Sequence, residues 1–278
     1  MVGTPNTRIL VIGLVYVCVG LVYVEGLAYY TEKPAYIESC RIKEPDFTNC
    51  STRSIQGFLN AVIKGIPEIE ESFGPLDPMK QDQLTFKQED SDVASISANL
   101  TNLIVRGLGK MVIKESKVNK KDFSWADKIY IPRLRMNGTY KMLGRILIIP
   151  LHGSGNIFIE IDDLDILMNA KTRLYEKGGY TFYNVTAVTV KLEVGRVRTY
   201  LDNLFNGHSK EVERSTNEFF NENWQDFYET LRPLIVETLE RTLLDLLKKM
   251  FNLIPANFFV EDIPNSLVLY GRKTQLIA

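Results

Sequence analysis

The feature that most constrains this chain is a helical pattern near its C-terminus that is far longer than an average helix of about 11–12 residues. Between residues 215 and 251, apolar side chains recur on one broad face: Phe220, Trp224, Phe227, Leu231, Leu234, Ile235, Leu239, Leu243, Leu246, Leu247 and Met250. A continuous helix over this stretch would span about 55 Å. Pro233 lies inside the pattern and predicts a kink or a break, because proline lacks the helical amide donor.

The stretch before this helix, residues 83–204, alternates apolar and polar residues with the period of a β-strand. Glycine-containing turns punctuate it, and we predict hairpins at Asn137-Gly138 and at Lys177-Gly178-Gly179. Seven to nine antiparallel strands would fit. The run from Ile146 to Leu151 is apolar on both faces, which predicts one strand that is covered on both sides.

A shorter helix is predicted after Cys50, with Ser51 or Thr52 as its cap and apolar residues from Ile55 to Ile66 at helical spacing. The fold class is therefore α+β. Two arrangements remain open at this point. The long helix is either the core helix of a compact domain, or it is wrapped by a curved sheet that leaves an elongated apolar interior. Periodicity alone does not choose between them.

The first 28 residues have the layout of a signal peptide: Arg8, an uncharged apolar run over residues 9–24, and small residues before a cleavage site after Ala28. We expect a secreted chain with a single domain over residues 29–278. The alternative is an uncleaved signal anchor with the rest of the chain outside. In an oxidising compartment Cys40 and Cys50 are expected to form a disulfide. Of the sequons, Asn99, Asn137 and Asn184 are the glycosylation candidates; Asn49 is hindered by Cys50.

Motifs for catalysis are scarce in this sequence. The net charge of −1, with both signs interspersed, gives no case for nucleic acid or an anionic membrane as a partner. The segment from Leu151 to Gly155 contains His152, but no Gly-x-Ser-x-Gly elbow accompanies it, and we expect a glycine hairpin there. The acidic cluster of Asp162, Asp163 and Asp165 lacks the spacing of a calcium loop and is interpreted as a solvated turn. We therefore predict no enzyme, no cofactor and no metal, but a binder of apolar small molecules.

Several segments, taken in order, resemble the insect takeout and juvenile hormone-binding protein family: the cysteines that flank residues 41–47, Gly65–Ile69, Pro75–Pro78, Gly138–Tyr140, Gly144–Gly155, and Phe220–Trp224 with Pro233 and Pro255 downstream. The resemblance covers nearly the whole mature chain. The hormone-binding branch typically carries a second disulfide. The two cysteines that remain after cleavage place this chain nearer the takeout branch.

The resemblance implies a long helix wrapped by a strongly curved antiparallel sheet, a fold of the tubular lipid-binding type. It also implies an internal tunnel for a juvenile hormone-like terpenoid or a fatty acid, and a role in circadian, feeding or behavioural output. The expected partner is this small molecule, without stable membrane insertion after cleavage. The expected lining residues are Trp224, Phe227, Leu231, Ile235, Leu239 and Leu243 on the helix, and Ile146, Ile148, Ile157 and Ile159 on strands. The alternative function is a secreted signalling or interaction protein whose interior is filled by side chains.

Overall fold

A computed structural model describes residues 29–66, 75–88, 94–146 and 149–271. It contains a six-stranded antiparallel sheet in the order β1-β2-β4-β5-β6, with β3 paired to β4 beyond the end of β2. The strands are β1 (Met79–Gln88), β2 (Ala94–Arg106), β3 (Val112–Val118), β4 (Trp125–Ile146), β5 (Ile149–Lys177) and β6 (Tyr180–Leu201). The α-helices are α1 (Phe47–Lys64), α2 (Lys210–Glu222), α3 (Trp224–Leu253) and α4 (Ser266–Tyr270).

The strands are fewer and longer than the seven to nine that were predicted, and β5 alone has 29 residues. The hairpin at Gly178-Gly179 is confirmed, since it joins β5 to β6. The hairpin at Asn137-Gly138 is wrong, because both residues lie inside β4. Gly138 instead faces an irregular point in β2, where a side chain would come within 2.8 Å of the Thr101 carbonyl oxygen. Close approach of two backbones explains this glycine.

Three other expectations for this region are corrected by the same long strands. The apolar run is not one strand, because Ile146 ends β4 and pairs with Ile149 at the start of β5. His152 lies within β5 rather than in a hairpin. The two glycines after His152 let the chain beyond β6 pass close to β5, since a side chain on Gly155 would overlap Asp202. The aspartates 162, 163 and 165 also lie within β5 and not in a turn.

The predicted N-terminal helix is observed as α1, but it begins five or six residues earlier, after Asp46. Ser51 and Thr52 are therefore not its caps. Their hydroxyls contact β3: Ser51 donates to the Ser116 hydroxyl, and Thr52 accepts from the Ser116 amide at 2.9 Å. The cysteine prediction is confirmed, because Cys40 and Cys50 form a disulfide that links α1 to the preceding segment. The predicted signal segment, residues 1–28, lies outside the described residues.

The long C-terminal pattern forms two helices, and the break lies at Asn223 rather than at Pro233. Pro233 lies within α3, on its exposed side, where the Glu229 residue one turn earlier is also exposed. Water can therefore hydrogen-bond to the carbonyl that loses its helical partner. At Asn223 the carboxamide donates to the Phe219 carbonyl at 2.9 Å, which ends α2. The break expected at Pro233 is therefore wrong, whereas the alternative, a kink at Pro233, stays a prediction.

Side chains of α2 and α3 satisfy the free edge of β6. Asn217 and Asn221, one turn apart on α2, each accept a hydrogen bond from a β6 amide and donate one to the carbonyl of the same residue, Leu201 and Thr199 respectively, at 2.8–2.9 Å. Farther along, Glu240 accepts from the Val190 amide at 2.8 Å. Carboxamides can replace a neighbouring strand because they carry the same donor and acceptor pair as the backbone. These bonds hold the helices along the edge of the sheet.

The sheet is strongly curved and does not close on itself. Helix α3 packs along β6 and also reaches β1, the strand at the opposite edge. The fold is thus a long helix held against a curved antiparallel sheet, with α1 at one end, which confirms the predicted fold class. Whether the space between helix and sheet is an elongated apolar interior or a core filled by side chains stays a prediction. Within the described ranges no helix is both long and apolar enough to cross a membrane.

Candidate hydrophobic ligand site

Two separate apolar cores form where the helices meet the sheet. The disulfide-end cluster contains the disulfide region, α1, the last turns of α3 and the segment after it, and it includes Phe58, Trp125, Phe251 and Phe259. The far-end cluster contains Tyr140, Leu151, Phe220 and Phe227, among residues from β2, β4, β5, β6, α2 and the start of α3. Each core is densely buried. The molecule therefore has two packed ends, and α3 connects them.

Between the two clusters, apolar side chains of both layers remain only half-buried. We call this group the middle belt, and its members are Leu134, Ile159, Ile161, Leu231, Leu234 and Ile235. Leu134, Ile161 and Ile235 pack against the disulfide-end cluster, whereas Ile159, Leu231 and Leu234 pack against the far-end cluster. Side chains in a filled core lose nearly all their accessible surface. The belt keeps apolar surface that a small molecule could cover.

Strand pairing explains how the belt faces one way. Leu134 pairs with Ile161, and Ile161 pairs with Val197, so three apolar side chains form a row across β4, β5 and β6. The next residues along these strands point to the opposite face, where Arg135, Glu160 and Arg198 form ion pairs. Successive side chains of a strand point to opposite faces of the sheet. Because the charged row lies on the outer face, the apolar row lies on the face toward the helix.

The structure distributes the expected lining residues over several environments. Leu231 and Ile235 on α3 and Ile159 on β5 lie in the middle belt. Leu239 and Leu243 are half-buried against the disulfide-end cluster. Three others are buried in the far-end cluster: Phe227, Ile146 and Ile157. Ile148 lies outside the described residues. Whether each of these residues contacts a ligand stays a prediction.

Trp224 stands apart from the other expected lining residues. It lies in an open cleft of about 640 Å³ between β6 and α2, whose lining includes Arg196, Tyr200, Arg214 and Glu218. Its ring is 6.4 Å from that of Tyr228. Helical spacing placed Trp224 on the apolar face. The helix is interrupted at Asn223, immediately before Trp224, and the pattern gave no signal of that interruption.

Three belt residues are not among the lining residues expected from the sequence. Leu134 and Ile161 were part of the period-two pattern, but periodicity does not tell which face of a strand is inside. The charged residues that alternate with them, Arg135 and Glu160, are the signal that could have decided it. Leu234 belongs to the helical stripe, and its spacing alone does not separate it from core positions.

One buried polar group lies near the disulfide end of this interior. Asp127 on β4 is 3% exposed, and its Oδ1 has no hydrogen-bond partner among the described residues. Burial raises the pKa of the Asp127 carboxyl from 3.8 to about 7, although a hydrogen bond with Ser116 acts in the opposite direction. Ser116 in turn contacts Ser51 of α1. The contact between α1 and the sheet therefore contains a carboxyl group whose neutral form is favoured.

The residues weighed for catalysis are not assembled into a site. The His152 ring packs edge-on against Phe205 at 5.3 Å. Asp162 pairs with Arg133 and Arg198 on the outer face of the sheet. Across the described part of the chain, no group of three or more His, Cys, Asp or Glu side chains is placed to hold a metal ion.

Comparisons with known proteins give a consistent result across nearly the whole chain. Residues 14–261 match the family model described as haemolymph juvenile hormone binding protein. The circadian clock-controlled protein daywake of Drosophila melanogaster is 24% identical over 244 residues, which are 82% of this chain and 88% of that protein. Daywake of Drosophila yakuba is 25% identical over 240 residues, 81% of this chain and 87% of that protein.

A solved structure shows the same fold. The crystal structure of Epiphyas postvittana Takeout 1 superposes with a TM-score of 0.69 and 22% sequence identity, over 81% of this chain and 99% of that one. The match covers a curved antiparallel sheet with a long C-terminal helix and an N-terminal helix. At this identity the likeness concerns the fold.

Proposed function

Because this chain belongs to the haemolymph juvenile hormone binding protein family, whose members carry hydrophobic ligands, we propose that it is a secreted, non-catalytic carrier of one extended apolar molecule. The ligand class is a juvenile hormone-like terpenoid or a fatty acid, held between the sheet and α3. We further propose a role in circadian, feeding or behavioural output, for which the name of the daywake relatives is the support.

The observation that carries this proposal is the middle belt. Its six apolar side chains come from β4, β5 and α3, and all are half-buried although they lie between two packed cores. Covering apolar surface contributes about 25 cal/mol per Å², which is offset in part by the ordering of the ligand. A long, unbranched or terpenoid chain could run along α3 and cover the belt. Specificity would come from a few polar groups at its ends.

Secretion is supported by the cysteine pair and by the composition of the N-terminal segment. The Cys40–Cys50 disulfide is typical of a protein that folds in an oxidising compartment. The apolar run over residues 9–24 has the length of a signal-peptide core and is short for a membrane span of about 20 residues. Both features favour delivery of the mature chain to the extracellular space.

The competing proposal is a signalling or interaction protein whose interior is filled by its own side chains. A Leu234→Trp substitution separates the two, because it adds volume in the middle belt. In a carrier the indole takes the space of the ligand, so delipidated protein should bind a fluorescent fatty acid at least tenfold more weakly while its melting temperature is unchanged or higher. In a filled interior the same substitution overpacks the core, at a cost of about 1–3 kcal/mol.

The matched control is Leu164→Trp, at a site that is 6% exposed in the disulfide-end cluster. It should lower the melting temperature and leave the probe affinity of the folded fraction unchanged. If Leu234→Trp behaves like Leu164→Trp, the carrier proposal is wrong and the filled interior is supported.

A further inference from the structure

The outer face of the sheet carries a largely apolar row between two polar ones. Ile104, Asn137, Phe158 and Tyr200 are successive cross-strand partners on β2, β4, β5 and β6. They line an open cleft of about 420 Å³, together with Asn102, Thr139 and Asn156. Tyr200 is 50% exposed and pairs with Phe158 across the strands.

The rows of residues directly on either side of this strip are polar. On one side Arg135 pairs with Glu160, and Glu160 with Arg198, which makes a charged row. On the other side Thr101 and Thr139 share a hydrogen bond of 2.7 Å, and Asn156 follows them on β5. An apolar strip between charged and polar rows on a solvent face is a surface that an attached group could cover.

The strip itself contains a glycosylation sequon, and an attached glycan could cover the apolar side chains. Asn137, Gly138 and Thr139 form an N-glycosylation sequon, and Asn137 is exposed beside Phe158. A pyranose ring has a face of C–H groups that packs on an aromatic ring, and a rim of hydroxyls that hydrogen-bonds to polar neighbours. The cleft provides both, with Phe158 and Tyr200 as its apolar surface and Asn102 and Asn156 at its sides.

We propose that Asn137 carries an N-linked glycan whose first sugars lie in this cleft and cover Phe158 and Tyr200. The proposal rests on the secretion included in the proposed function, since glycan transfer takes place in the secretory pathway. Transfer acts on the extended chain, so the position of Asn137 within β4 is no obstacle. The folded protein only has to leave room, and the cleft does so.

The other two candidate sequons differ from Asn137 in their surroundings. Asn184 on β6 is exposed, and its cross-strand partner is the exposed Arg173, so a glycan there would extend into solvent. Asn99 on β2 is half-buried, and its Oδ1 accepts a hydrogen bond from the Thr85 hydroxyl at 3.2 Å. Asn184 therefore serves as the matched control for a glycan that lies away from Phe158 and Tyr200.

The test uses the full chain secreted from insect cells. Glycopeptide mass spectrometry should find Asn137 occupied. Hydroxyl-radical footprinting should then show Tyr200 oxidised several-fold faster in Asn137→Gln than in wild type, and at the wild-type rate in Asn184→Gln. If Asn137→Gln is not secreted, enzymatic removal of the glycan from folded wild-type protein gives the same comparison.

Two results would overturn the inference: secreted protein with Asn137 unmodified, or a Tyr200 oxidation rate that does not change when the glycan is lost. An unmodified Asn137 with Tyr200 still protected would point to a protein partner on this face. If either result is found in a protein that still binds a fatty-acid probe, the glycan inference fails and the carrier function stands. If Asn137 is glycosylated in a protein that binds no probe, the carrier function fails and the site of glycosylation stands.

Discussion

The disulfide end and the middle belt use the same helix in opposite ways. At the disulfide end, the Phe251 ring of α3 lies 5.0 Å from that of Trp125, 5.6 Å from that of Tyr183 and 5.8 Å from that of Phe259. In the middle belt, Leu231 and Leu234 of the same helix stay half-buried. The apolar stripe is continuous through both regions. One helix can therefore serve as a core element at its end and as the wall of a binding site in its middle.

This difference assigns stability to the ends and binding to the middle. A side chain surrounded by packed neighbours leaves a cavity when it is truncated, and the cavity adds to the lost burial. A side chain that borders accessible space leaves little new cavity. Truncations along α3 should therefore fall into two classes, according to position rather than to residue type.

The largest effect is expected at the packed end. Phe251→Ala should lower the free energy of unfolding by about 3–5 kcal/mol, because Phe251 is 5% exposed and contacts three aromatic rings. Chemical denaturation of delipidated protein measures this loss. A loss below about 1 kcal/mol would mean that the disulfide end is not the stabilising core.

A second expected effect is a pH dependence of stability, and it also concerns the disulfide end. The pKa of Asp127 is raised to about 7 in the folded protein, so between about pH 4 and pH 7 the unfolded state releases a proton that the folded state keeps. This group therefore lowers stability as the pH rises, by up to about 4 kcal/mol. Asp127→Asn should remove that loss.

The difference in unfolding free energy between Asp127→Asn and wild type isolates this group from other carboxyls, such as Glu38 and Glu160, whose pKa values are lowered by arginines. The variant should gain on wild type as the pH is raised from 4 to 7. A difference that stays constant over this range would show that Asp127 has an ordinary pKa and is hydrated.

The smallest stability effect is expected in the middle belt. Leu231→Ala should cost less than about 1.5 kcal/mol in delipidated protein, whereas the buried Leu164→Ala should cost about 2–5 kcal/mol. Affinity for a fatty-acid probe should change in the reverse order, with the larger loss for Leu231→Ala. Delipidation is required because a bound ligand raises apparent stability. Equal costs at the two leucines would remove the distinction between end and middle.

Much of the fold follows from the sequence, and the exceptions share a cause. Periodicity gave both helices, the antiparallel sheet and the hairpin at Gly178-Gly179, and cysteine count gave the disulfide. The wrong predictions concern places where tertiary contacts override a local signal. Gly138 allows two strands to approach closely instead of turning the chain, and exposed Pro233 is tolerated within α3. A local pattern contains no information about either contact.

The candidate site was less accessible to sequence reasoning. The helical pattern predicted Leu231 and Ile235 as lining residues, and both lie in the middle belt. It predicted Phe227 in the same way, although Phe227 is packed in the far-end cluster. On the strands, the apolar side flips between Ile131 and Leu134, where β4 passes an irregular point. Residues on the far side of such a point are assigned to the correct face only when the strand partners are known.

The central claim, that an apolar ligand lies along the middle belt, is tested most directly by photo-crosslinking. Delipidated protein is loaded with a fatty acid that carries a diazirine at mid-chain, irradiated, and mapped by mass spectrometry. We predict saturable labelling of the α3 segment around Leu231–Ile235 and of the β5 segment around Ile159–Ile161, competed by unlabelled fatty acid. Labelling confined to the outer clefts beside Tyr200, or labelling that does not saturate, would contradict the account.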